Sequence, residues 1–108
     1  MIVTAWKSGP ANDTGTGYGV KLAAQDRDRH FVRTWETVTV EFDDSRQAVE
    51  VNIDKDSFWN DTCRELISKE IGRWILDLIE AKRVSWPKRH PPKFTLTPLG
   101  NRRFKLSC

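Results

Sequence analysis

The chain has 108 residues, of which 31% are charged and 38% hydrophobic, and a net charge of +3. That length supports one domain with a single modest core rather than a multidomain assembly. Two cysteines are too few for a disulfide framework, and no apolar run approaches the roughly 18 residues of a membrane span.

The opening segment, Met1 to Lys7, has neither a basic n-region nor a long apolar h-region. No signal peptide is expected from it, and a cytoplasmic setting without a membrane partner is the corresponding expectation. Ile2 to Trp6 is a short apolar run and reads as a first strand. Ser8 to Gly19 holds four glycines, a proline, Asn12 and Asp13, all turn formers, and reads as a loop. Tyr18 to Ala23 alternates weakly and gives a second strand. Gln25 to Arg33 carries alternating charges before Phe31 and Val32, which fits one or two helical turns with Asp26 facing Arg29.

Trp35 to Phe42 places Val38, Val40 and Phe42 on one face and Thr37, Thr39 and Glu41 on the other. Val49, Val51 and Ile53 alternate in the same way after a turn-rich link. The two runs predict an antiparallel hairpin with one wet face.

Ser57 to Arg83 predicts one long amphipathic helix. Phe58, Trp59, Cys63, Leu66, Ile67, Ile71, Trp74, Ile75, Leu78 and Ile79 recur at steps of mostly three and four. Thr62 and Glu65 have the spacing of a capping box, and Pro87 forbids continuation. Cys63 is expected as a buried core thiol and Cys108 as an exposed one. Gly72 interrupts the helix and reads as a point of close approach by a neighbouring strand or a bend; a notch for a partner helix is the sharper alternative.

Beyond the helix, Val84 to Lys93 is irregular and proline-rich. Phe94 to Thr97 and Arg103 to Leu106 form a last hairpin, turned by Pro98-Leu99-Gly100-Asn101. The predicted class is α+β: a small twisted antiparallel sheet, curling towards a partly closed barrel, packed on one long helix in the order β-β-α-β-β-α-β-β.

Chemistry-bearing motifs are sparse. Gly15-Thr16-Gly17-Tyr18-Gly19 lacks the Lys-Ser/Thr of a phosphate-binding loop and precedes a strand rather than a helix. His30, His90, Cys63 and Cys108 have no metal-ligand spacing, so neither a metal nor a cofactor is expected. Tyr18, His30 and the acidic turns are the only loose catalytic candidates, and the chain leans away from enzymes.

The strongest signal is charge segregation. Residues 1–80 hold 10 Lys+Arg against 15 Asp+Glu, a net −5; residues 81–108 hold 8 Lys+Arg and no acid, a net +8. Trp86, Lys88, Arg89, His90, Lys93, Arg102, Arg103 and Lys105 interleave cations with aromatic rings. Cations meet phosphates and flat rings stack on bases, so this segment is the candidate nucleic-acid contact. Two other readings remain open: the basic tail neutralises the acidic body, or a sheet edge and the charge asymmetry dock a protein partner or a second copy.

Overall fold

Alternation of buried with more exposed residues along β-strands such as Thr37–Phe42 and Arg103–Ser107 builds one sheet, and the computed structural model describes it over residues 1–108. The strands are β1 (Ile2–Lys7), β2 (Tyr18–Lys21), β3 (Thr37–Phe42), β4 (Val49–Asn52), β5 (Glu65–Ile67), β6 (Lys93–Gly100) and β7 (Arg103–Ser107). The helices are α1 (Ala24–His30), α2 (Asp56–Trp59) and α3 (Lys69–Glu80). The strand order is β4-β3-β7-β6-β1-β2-β5. Every pairing is antiparallel except β3 with β7. The two edge strands, β4 and β5, come back into contact with each other, so the sheet is nearly a barrel.

The mixed α and β class stands, and so does the β3–β4 hairpin, with Val38 opposite Val51 and Val40 opposite Val49. The single long helix does not. Its first third is one turn, α2, and then a loop, and its middle is the strand β5. The break lies at Asn60, whose Oδ1 accepts from the backbone N–H of Thr62 (3.0 Å) and of Cys63 (2.7 Å). An Asn that binds its own downstream amides competes with helix and makes a turn. Arg64 then takes a left-handed φ of 59°, and Leu66 pairs with Val20 of β2. α3 starts at a separate cap, where Ser68 Oγ accepts from Ile71 N–H at 2.9 Å. Cys63 therefore sits half-buried in a loop rather than in the core, while Cys108 is exposed.

The core lies between α3 and the inner face of the sheet. Ile71, Trp74, Ile75 and Leu78 of α3 meet Val3, Val20, Val40, Leu96 and Leu106, all nearly or fully removed from solvent. Two aromatic groups extend it: Trp74 against Phe94 and Phe42, and Phe31 stacked on Phe104 with ring centroids 4.5 Å apart. Aromatic pairs at such distances add about 0.5–1.5 kcal/mol beyond the area they bury.

Gly72 is a point of close approach, though not by a strand. The backbone that approaches it belongs to the glycine loop. A Cβ on Gly72 would stand 2.1 Å from the Gly15 carbonyl oxygen. The same seam is tied by Arg73, whose guanidinium donates to the Asp13 carbonyl at 2.6 Å.

Arg27, in the charged run of α1, is buried. Its guanidinium donates to the carbonyls of Phe58 (3.1 Å) and Asn60 (2.6 Å), at the end of α2. Those carbonyls have no partner within their own short helix, so a cation there satisfies them and suits the helix pole. Arg27 pairs with Asp28 at 3.0 Å; the anticipated pair of Asp26 with Arg29 does not form.

Candidate nucleic-acid interface

β6 and β7 turn about two residues, Asn101 and Arg102, with φ of 52° and 60°. Two successive positive φ values mark a type I′ hairpin turn, whose second residue is ordinarily glycine. The turn is therefore shifted from Pro98–Asn101, and β6 runs on to Gly100. Along β6 and β7, Phe94, Leu96, Phe104 and Leu106 are buried, while Lys93, Thr95, Thr97, Arg103 and Lys105 point outward. Lys105 lies opposite Thr97, so Lys93, Lys105, Arg103 and Arg102 follow one another along the outer face of the hairpin.

The segment that feeds β6 begins at the end of α3. Arg83 N–H donates to Leu78 C=O at 2.9 Å, and Lys82 N–H donates to Ile79 C=O at 3.0 Å. These are the two bonds of a Schellman motif, and Lys82 holds the left-handed position where glycine is usual, at φ 59°. Further on, His90 N–H closes a turn on Pro87 C=O at 2.9 Å. Arg89 is its third residue, with φ 66°, again a position that favours glycine. Lys88, Arg89 and His90 are all exposed.

Trp86 is half-buried against the core. Lys7 Nζ lies 4.7 Å from its ring centroid, and Tyr18 meets it edge-on at 6.1 Å. The ring thus fastens the irregular segment to the ends of β1 and β2.

Of the eight residues singled out from the sequence, Trp86 packs against the core, and the other seven are exposed and form a stripe rather than a cluster. Lys88, Arg89 and His90 precede the start of β6, and Arg102 and Arg103 stand at its far end. Eight residues of strand separate the two ends by roughly 25 Å. Lys93 and Lys105 lie between them.

Charge pairing decides whether this stripe merely neutralises the body. It does so at one place: Arg103 Nε meets Glu41 at 2.8 Å. The other ion pairs are made within the body. Arg46 joins Asp44 (2.9 Å) and Asp77 (3.0 Å), Arg73 joins Asp77 (2.8 Å), and Arg27 joins Asp28. Lys88, Arg89, Lys93, Arg102 and Lys105 have no carboxylate within 4.0 Å.

The flanks of the stripe differ in sign. On the β3–β4 side stand Glu41 and Glu50. The Glu50 carboxylate accepts from Thr37 Oγ1 (2.6 Å) and Thr39 Oγ1 (2.8 Å). Those hydroxyls, with Arg102 and Arg103 nearby, hold its carboxyl below the usual range. On the β1–β2 side, Thr4 lies opposite both Lys93 and Lys21. Lys21, Arg64 and Lys93 share a shallow recess there with no acid in its lining. Lys21 Nζ donates to the Thr62 carbonyl at 2.8 Å and Arg64 Nε to the Leu22 carbonyl at 2.9 Å. Both are held in place by neutral oxygens. Sequence reading missed these two, because they lie far along the chain from the basic tail and reach it only through sheet pairing.

No three His, Cys, Asp or Glu side chains converge as a metal site would need. No helix is long and apolar enough to cross a membrane. The chain matches no protein-family model, no curated protein and no solved structure.

Proposed function

We propose that this chain is a non-enzymatic binding module that holds nucleic acid along the outer face of the β6–β7 hairpin and the loop leading into it. The observation that supports this reading is the row of five cations, Lys88, Arg89, Lys93, Lys105 and Arg102, without a carboxylate partner. A second feature agrees with it. Five residues other than glycine adopt a left-handed backbone, and four of them are Arg64, Lys82, Arg89 and Arg102. A left-handed conformation costs an L-residue roughly 1–2 kcal/mol that glycine avoids. Retaining long cations at two turn tips where glycine would fold better suits side chains needed for contact.

In this reading Lys88, Arg89, His90, Lys93, Arg102 and Lys105 contact phosphates. Arg103 stays with Glu41, and Trp86 positions the loop. Lys21 and Arg64 widen the positive surface towards β2.

The test is retention on heparin and a gel mobility shift with short oligonucleotides at low salt, for the native chain and for the double variant Lys88→Glu, Arg89→Glu. The native chain is expected to bind and the variant to bind at least tenfold more weakly. Absence of any shift at low salt would overturn the proposal. Docking of a protein through a sheet edge has less in its favour, since both edges are short and turned towards each other.

A further inference from the structure

The hairpin tip does not stand free. Phe104 stacks on Phe31, which draws the end of α1 and the link to β3 against it. Between the two lies a recess of about 460 Å³, within the size range of small-ligand sites. One wall holds His30 and Trp35; the other holds Pro98, Asn101, Arg102 and Arg103. No carboxylate lines it. Trp35 is half-buried and braced edge-on by Phe31 at 6.5 Å, and it lines the recess. Arg102 reaches this recess from the left-handed turn position described above.

We propose that the recess receives one unpaired base of a single strand, stacked on Trp35, with the adjoining phosphate met by Arg102. This rests on the nucleic-acid reading and narrows it to single-stranded nucleic acid. The chemistry follows from the two walls. A flat indole beside an imidazole accepts a planar ring of any base, because every base has a π-face. A guanidinium without a carboxylate partner meets the phosphate with a planar fork of donors. Asn101 offers both a donor and an acceptor towards a base edge. The recess lies at one end of the cationic stripe, so a strand lying along the stripe delivers a base to it. A base inside a duplex cannot enter.

The experiment compares fluorescently labelled oligothymidine of twelve nucleotides with a fully abasic strand of equal length and charge, by anisotropy at one salt concentration. Stacking of one base on an aromatic side chain contributes about 1–3 kcal/mol, so the base-bearing strand is expected to bind about 5–150-fold tighter. Trp35→Ala is expected to remove that difference and leave abasic-strand binding unchanged. Because this change can harm folding, the native protein supplies a second readout: the Trp35 indole N–H resonance is expected to move with oligothymidine and stay in place with the abasic strand. Equal affinity for the two strands, with an unmoved Trp35 signal, would overturn the inference while leaving a phosphate-binding stripe intact. Binding of neither strand would remove both.

Discussion

Replacing Gly72 by Ala separates two opposite expectations. In an ordinary exposed helix the change stabilises by about 1 kcal/mol, because alanine loses less backbone entropy. Here the new Cβ would sit 2.1 Å from the Gly15 oxygen and 2.8 Å from its Cα. Gly15 cannot yield by rotating a side chain, since it has none, and its own φ of +100° is already one that other residues avoid. Either α3 or the loop must move. Overpacking of this kind costs typically 1–3 kcal/mol. Displacing the loop also weakens the bond from Arg73 to the Asp13 carbonyl, a charged hydrogen bond of the sort that contributes about 1.5–3 kcal/mol when well buried and less at this exposed site. Set against the helix gain, the net expectation is a loss of about 2 kcal/mol. For a domain of this length that lowers Tm by about 8–16 °C. Urea denaturation followed by tryptophan fluorescence reads the same loss as a lower midpoint at constant slope. An unchanged or raised midpoint would refute the close approach of the glycine loop to α3.

Arg102→Gly is expected to strengthen the fold by about 0.5–1 kcal/mol, the relief of a left-handed arginine less the added freedom of the unfolded chain, while weakening oligonucleotide binding; a variant that loses stability would contradict the turn assignment. Arg27→Ala is expected to lose about 2–4 kcal/mol in urea denaturation, because it leaves the Phe58 and Asn60 carbonyls without their donor at a buried site. Glu50 makes stability depend on pH. Its folded pKa is lowered by the Thr37 and Thr39 hydroxyls, so its contribution is complete above the ordinary glutamate value of about 4.3 and fades as the pH falls through the lowered folded value. Urea midpoints of the native chain and of Thr37→Val, Thr39→Val, compared at pH 6 and pH 3, are expected to converge at the acid end; a constant gap would contradict the linkage.

What the sequence could reveal followed the range of the interactions involved. The β3–β4 and β6–β7 hairpins were readable, because Val38, Val40, Phe42 and Phe94, Leu96 alternate and their partners lie within a turn. The parallel pairing of Val40 with Phe104 was not, since it joins segments more than sixty residues apart with no local trace. The long helix failed for a local reason. Apolar residues at steps of three and four continue through Leu66 and Ile67, and a three-residue strand is too short to impose its own period. The breaking signal was present in Asn60-Asp61-Thr62, three turn formers in a row, and in Ser68 as a second cap.

For the interface, composition gave the basic tail but not its shape. The last hairpin's turn was expected at Pro98-Leu99-Gly100-Asn101 and lies at Asn101 and Arg102; since Arg89 and Arg102 stand where glycine is the normal signal, nothing marked their left-handed positions. Lys21 and Arg64 belong to the acidic half of the chain and join the surface only because β1 lies between β6 and β2. The recess with Trp35 and His30 lies between segments far apart in the chain that meet where Phe31 stacks on Phe104.

The slope of oligonucleotide affinity against salt tests the central claim most directly. Each neutralised phosphate of a single strand contributes about −0.7 to the slope of log Kobs against log salt concentration. Five unpaired cations, Lys88, Arg89, Lys93, Arg102 and Lys105, therefore give an expected slope of about −3.5, and Lys88→Glu with Arg89→Glu makes it shallower by about 1.4 or more. A slope near zero, or one that the double variant leaves unchanged, would contradict the claim that this stripe holds the strand.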